Sequence, residues 1–311
     1  MIARTSFPYD GVPSHRNWNL AVSGAAERAA IDVQGPVKFR FPRTASVASM
    51  GSCFGSRLSE SLADCGLHFP VYEPGAEPLA ARYGNVYTTL QLRQLLDRAL
   101  AVFEPLERAW PTPEGRWLDP FRPLVDRAGF ATVPELERAR RLHLHAVRRM
   151  FEEIDVFVFT IGLTEVWRDV RDGAAFPIPP GRGRGIFDAG RYAATNLDVQ
   201  ANAAELDAFL ARLREINAGV RVVLTVSPVP IALTTEPVHV ARASLYSKSV
   251  LKVVAEEAAR RHPHVDYFAS YDLVMMNFGG EALFEDDARH IRPFVRDRVA
   301  ARFVERFFEA G

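Results

Sequence analysis

Residues Ser46–Cys65 read SVASMGSCFGSRLSESLADC, and this stretch sets the fold class. Ser46–Met50 is short, apolar and partly β-branched, as a buried strand is, and Gly51 then permits a sharp turn. Beyond the turn, Phe54, Leu58, Leu62 and Cys65 recur at helical spacing on one face. A buried strand that passes directly into an amphipathic helix is the repeating unit of parallel α/β sheets.

The alternation continues along the chain. Leu67–Tyr72, Ile154–Ile161 (IDVFVFTI), Val220–Val226 (VRVVLTV) and Val265–Ala269 read as further buried strands. Helical period marks Leu92 to Phe103, Leu206 to Leu213, and a segment read through Tyr246, Val250, Val253 and Val254. A last helix opens at Pro293 and turns Val299, Phe303, Val304 and Phe307 inward. The pattern predicts an α/β fold: three α/β/α layers around a mainly parallel, about five-stranded, flavodoxin-like sheet. Residues 1–43, rich in Pro, Gly, Arg and Asn, read as an arm packed on a single domain spanning 44–311. Insertions near 104–132 and 168–195 carry WPTPEGRWLDPFRP and PIPPGRGRG and read as long loops.

Acidic and basic residues balance at 38 each, which argues against a nucleic-acid partner. The basic runs at Arg138–Arg141 and Arg148–Arg149 alternate with acids and apolar residues and read as a solvated helix face. Cys53 and Cys65 have no metal-ligand spacing, so no metal is expected. MIARTSFPYDGVPS lacks an apolar core of signal length, and no run of 18 apolar residues follows, so the expectation is cytoplasmic, without membrane insertion.

In such sheets, ligands bind outside the carboxyl ends of the strands. Ser52 and Cys53 follow the first strand at a helix N-terminus, where unpaired N–H groups favour a thiolate and an oxyanion. Two readings stand side by side: a nucleophile, or a small buried cysteine beside a helix-capping serine. After the last strand, EDDARHIRP places Asp287 three residues before His290, a spacing that lets a carboxylate orient an imidazole. GLTEVW after the third expected strand offers Gly162, Thr164 and Glu165; RYGNVYTT offers Gly84 and Asn85, material for an oxyanion hole or simply turn residues. His143, His145, His262 and His264 read as surface or core.

Taken in order, PYDGVPSHRNW, ASMGSCFG, RYGNVYTTLQLRQLL, VFVFTIGLTEVW, VLTVSPVP and HVARASLYSKSVL resemble the GSCFA-domain family over almost the whole chain. Gly55 stands where the family motif has alanine. The family in turn resembles the SGNH (GDSL-like) esterases and acyltransferases. That resemblance implies an SGNH-hydrolase-like sheet with Cys53 at the nucleophile position and Ser52 as its neighbour or substitute. Gly84, helped by Asn85, matches the second-block glycine, and Thr164 falls where an asparagine is expected. It further implies acyl transfer through a covalent acyl-enzyme, with His290, oriented by Asp287, as the base. Backbone N–H groups at Cys53 and Gly84, with Asn85 or Thr164, would hold the oxyanion. The expected activity is that of an O-acyltransferase or a carbohydrate-type ester hydrolase, acting on a small-molecule or carbohydrate acyl ester. No cofactor is required; acyl-coenzyme A is a candidate donor, with Arg182 and Arg184 as its anion contacts or, more simply, as residues of a solvated loop. The competing expectation is a non-catalytic binding module on a degenerate esterase fold.

Overall fold

A computed structural model describes residues 9–77 and 79–310. The chain runs through β1 (Val47–Gly51), α1 (Cys53–Asp64), α2 (Thr89–Ala99), a hairpin of β2 (Trp110–Pro111) and β3 (Trp117–Leu118), and α3 (Val133–Glu153). There follow β4 (Val156–Ile161), β5 (Glu165–Asp169), β6 (Ala175–Phe176), β7 (Tyr192–Asn196) and α4 (Val199–Ile216). The last elements are β8 (Arg221–Val226), α5 (Val240–Arg261), β9 (Val265–Phe268), α6 (Ser270–Met276) and α7 (Pro293–Phe307).

The central sheet is parallel and four-stranded, ordered β1-β4-β8-β9. Period-two alternation divides its side chains between two cores. Met50, Phe157, Phe159, Leu224 and Tyr267 face a core shared with α2–α5. Val47, Val158, Val223 and Phe268 face a second core, where α1 and α7 bring Leu58, Leu62, Phe303 and Phe307. The result is three layers, with helices on both faces of the sheet.

The fifth expected strand, Leu67–Tyr72, is reduced to a single bridge between Ser46 and His68, closed by Val47 N–H donating to the His68 carbonyl at 2.8 Å. Pro70 lies two residues further on. It has no N–H to donate and its φ is fixed, so the ladder has no means of continuing through it.

Both expected long loops contain short strands. β2 and β3 form a hairpin, and β6-β5-β7 form a separate antiparallel sheet. β2, β3 and β6 are two residues long and carry no periodicity, while the five-residue β5 and β7 are mostly polar or half-buried and show no continuous apolar run. α5 also turns differently from its reading. Val250 and Val254 are buried, but Tyr246 and Val253 are exposed, and Ser244, Ser247, Lys248 and Leu251 occupy the inward face.

The first eight residues of the expected arm lie outside the described residues. From Gln34 onward the arm is tied to the domain by hydrogen bonds. Gln34 Nε2 donates to the Tyr267 carbonyl (2.7 Å) and Lys38 Nζ to that of Val265 (2.8 Å). Among the described residues, no helix is long and apolar enough to cross a membrane, and no His, Cys, Asp or Glu side chains group as metal ligands.

Candidate functional site

The carboxyl ends of β1, β4 and β8 open into a cleft of about 480 Å³. Gly51 makes the first turn possible. It pairs with Thr160 on β4, and a Cβ there would meet the Thr160 carbonyl oxygen at 2.6 Å and its Cβ at 2.8 Å. The chain therefore turns against β4 and starts α1 at Cys53, with Ser52 as its N-cap. Cys53 is exposed, and both it and Ser52 line the cleft. The capping reading of Ser52 fails: its side chain makes no cap bond, and its Oγ is buried without a hydrogen-bond partner. The buried-hydrophobe reading of Cys53 fails with it.

The floor of the cleft holds a residue that the sequence reading missed. Lys248 is buried on α5, and its Nζ donates to the Gly162 carbonyl at 2.7 Å. Burial, reinforced by the charge of Arg289, pulls its pKa down to about 7, while the nearby Cys53 acts in the opposite direction. Tyr87 stands at the same wall, and burial together with Cys53 pushes its phenol up to about 12. Asn85 hydrogen-bonds Tyr87, so it acts on the cleft through that ring.

The remaining expected site residues take other roles. Gly162 lines the cleft, but its N–H donates to the Tyr87 carbonyl at 2.8 Å. Thr164 is buried away from the cleft, and both its N–H and Oγ1 donate to Ser247 Oγ at 3.1 and 3.0 Å. It therefore has no donor left for an oxyanion. Glu165 accepts from Thr234 Oγ1 (2.5 Å) and from the Thr235 N–H (2.8 Å) and Oγ1 (2.9 Å), which pins the 232–235 segment over the cleft. Gly84 takes a left-handed φ of 68° in the turn before α2 and is not a wall of the cleft.

Asp287 and His290 do form the expected pair, Oδ2 to Nδ1, and hydrogen bonds from His290 and Arg289 hold the Asp287 carboxyl down at about 2. The pair is exposed and lies outside the cleft lining. The other ring nitrogen, Nε2, faces Arg289 Nη1 at 3.2 Å. Arg289, the residue between them, is the one that reaches the cleft, steadied by Nε donating to the Pro230 carbonyl at 3.1 Å. Arg182 and Arg184 sit in a tight turn closed by Gly181–Arg184 backbone bonds and do not line the cleft. His143 is core, buried with Nδ1 against Glu73 at 2.7 Å.

The depressed lysine makes stability depend on pH. Between about 7 and the ordinary 10.5, the unfolded chain keeps a proton that folded Lys248 has lost, so stability rises with pH across that window. Lys248→Met is expected to remove this contribution and to raise stability most at about pH 6, where the wild type buries a charge. Urea midpoints of both chains at about pH 6 and about pH 9 check it; an unchanged pH slope in the variant refutes it.

No curated protein matches the chain. The model of the GSCFA family matches residues 46–303.

Proposed function

The chain belongs to the GSCFA family, and from the cleft onto which its motif opens we propose that it transfers an acyl group through a covalent intermediate on Cys53, with Lys248 as the base. The observation that carries this reading is the pairing of an exposed thiol at a helix N-terminus with a buried amine poised near neutrality in the same cleft.

Neutral Lys248 takes the Cys53 proton, and the thiolate adds to the acyl carbonyl. The N–H groups at the start of α1, with the unpartnered Ser52 hydroxyl, receive the oxyanion. As the tetrahedral species collapses, the bond to the leaving group breaks and the Lys248 ammonium returns the proton to that group. A hydroxyl acceptor, deprotonated by Lys248, then attacks the thioester; the C–S bond breaks, and the Lys248 ammonium returns its proton to the Cys53 thiolate. Val166, Trp167, Ile178 and Leu233 give the cleft apolar walls, which disfavour water and so favour transfer over hydrolysis. In this reading Asp287 and His290 hold Arg289, and the base is the lysine.

The test uses acyl-coenzyme A and aryl esters as donors. Cys53→Ala is expected to abolish turnover, while Ser52→Ala, which removes one oxyanion donor, lowers kcat roughly 10²-fold. Iodoacetamide is expected to label Cys53 faster than Cys65, whose thiol burial pushes up. Equal labelling together with unchanged turnover in Cys53→Ala would leave a binding module on an esterase-like fold. Product analysis with an added sugar acceptor separates transfer from hydrolysis.

A further inference from the structure

A second pocket, of about 500 Å³, lies between the C-terminal end of α2 and the outer face of α3. It is distinct from the cleft; a small polar cavity reaching Gln91, Gln94 and Arg98 lies between the two. Five arginines line it: Arg98, Arg108, Arg140, Arg141 and Arg148. Three of them are answered by carboxylates. Arg108 pairs with Glu104 (2.8 Å) and Glu137 (2.9 Å), Arg140 with Asp119 (3.0 Å), and Arg148 with Glu152 (2.7 Å).

Arg98 and Arg141 have no ion pair among the described residues, and Arg98 is the more telling. Its Nε is sealed from solvent with no hydrogen-bond partner. Its guanidinium lies over the Phe121 ring, 4.1 Å from the centroid, which compensates only part of the lost hydration. Asp119, the nearest source of negative charge, is already held by Arg140 (3.0 Å) and Arg122 (3.4 Å). Burial pulls the Arg98 pKa down to about 9, so the group is still a cation at neutral pH. Arg98 as a whole is half-buried, and a partly buried cation with one sealed nitrogen and no counter-ion is costly. Here it forms a wall of an open pocket, where a counter-ion is supplied from outside.

We propose that this pocket binds a small phosphate-containing ligand, whose oxygens pair with Arg98 and Arg141. Two unpaired guanidiniums on adjacent helices, beside His145, suit a dianion with three acceptor oxygens better than a carboxylate with one charge and two. Phe103, Pro105 and Leu144 form an apolar rim that the body of a larger ligand would cover. The site is independent of the acyl-transfer reading, and its failure would leave that reading untouched.

The experiment is calorimetric titration of the full chain, at fixed ionic strength, with inorganic phosphate, pyrophosphate, adenosine diphosphate and succinate. Saturable phosphate and pyrophosphate binding is expected, with succinate at least tenfold weaker. Arg98→Met is expected to weaken pyrophosphate binding at least tenfold. In the absence of ligand the same variant melts at or above the wild-type temperature, because an unpaired, partly buried charge has gone; this separates a lost site from a lost fold. Arg182→Met, on the loop that does not line the pocket, binds as wild type. Tighter adenosine diphosphate than pyrophosphate assigns a ligand whose body covers the rim, and the reverse assigns free phosphate or pyrophosphate. Absence of saturable binding, succinate as tight as pyrophosphate, or wild-type affinity in Arg98→Met overturns the proposal.

Discussion

If Lys248 is the base of the proposed acyl transfer, Lys248→Met is expected to lower kcat by roughly 10²–10³-fold, the range that removal of a general base produces, while the chain stays folded. Lys248→Arg gives a similar loss, because arginine keeps the charge but does not release its proton near neutrality. These two variants separate a base from a mere positive charge. Wild-type activity is expected to rise with pH through an apparent value near 7, where the buried amine becomes neutral. Loss of the rise in Lys248→Met, measured as kcat against pH, supports the assignment. His290→Ala is the counter-test. His290 is exposed and its other ring nitrogen is taken up by Arg289, so its removal is expected to cost far less than that of Lys248. The reverse order of losses would restore His290 as the base and sink the lysine mechanism.

Gly51→Ala is expected to cost roughly 2–3 kcal/mol, as overpacking of a closed core does. The added Cβ meets the Thr160 carbonyl oxygen at 2.6 Å, and that oxygen is backbone in the middle of a sheet and has no room to move. Relief would push β1 from β4 and carry Ser52 and Cys53 out of position, so turnover falls with stability. Gly55→Ala is the internal control. Its Cβ would lie 3.2 Å from Thr160 Cβ and 3.3 Å from Oγ1, both side-chain atoms that can yield a few tenths of an ångström. Its cost is expected to stay below about 1 kcal/mol. This agrees with alanine being the family's residue at that position. Urea midpoints with matched activity assays decide it: Gly51→Ala with a wild-type midpoint removes the steric argument.

Local pattern made the β1–α1 unit, three further strands and the last helix legible, because apolar period and glycine placement are properties of neighbouring residues. Ser46–Met50 differs from observed β1 by one residue at each end, and Val299, Phe303, Val304 and Phe307 are buried as their spacing requires. The motif turn was equally legible, since a small residue before a helix start is a local requirement. Leu67–Tyr72 has the apolar character of a strand, but Pro70 within it has no N–H to donate and ends the ladder after one bridge.

The site was only half legible. Cys53 and Ser52 were found because they sit on that local turn. Lys248 was not, because Tyr246, Val250, Val253 and Val254 form an apolar stripe along α5 that leaves the lysine off it, and the structure exposes two of those residues, Tyr246 and Val253. Which stripe of a long, alanine-rich helix points inward is decided by what packs against it, here α4 and the sheet. Asp287 and His290 were found as a pair, and their spacing does bring them together. Spacing along the chain says nothing, however, of which neighbour reaches the cleft, and the fold sends Arg289 there. The sequence by itself determined the α/β class, the family and the thiol at the turn, all written in contiguous residues. Only the tertiary structure brought α5 under that turn, and the burial that this imposes on Lys248 is what brings its amine close to neutrality.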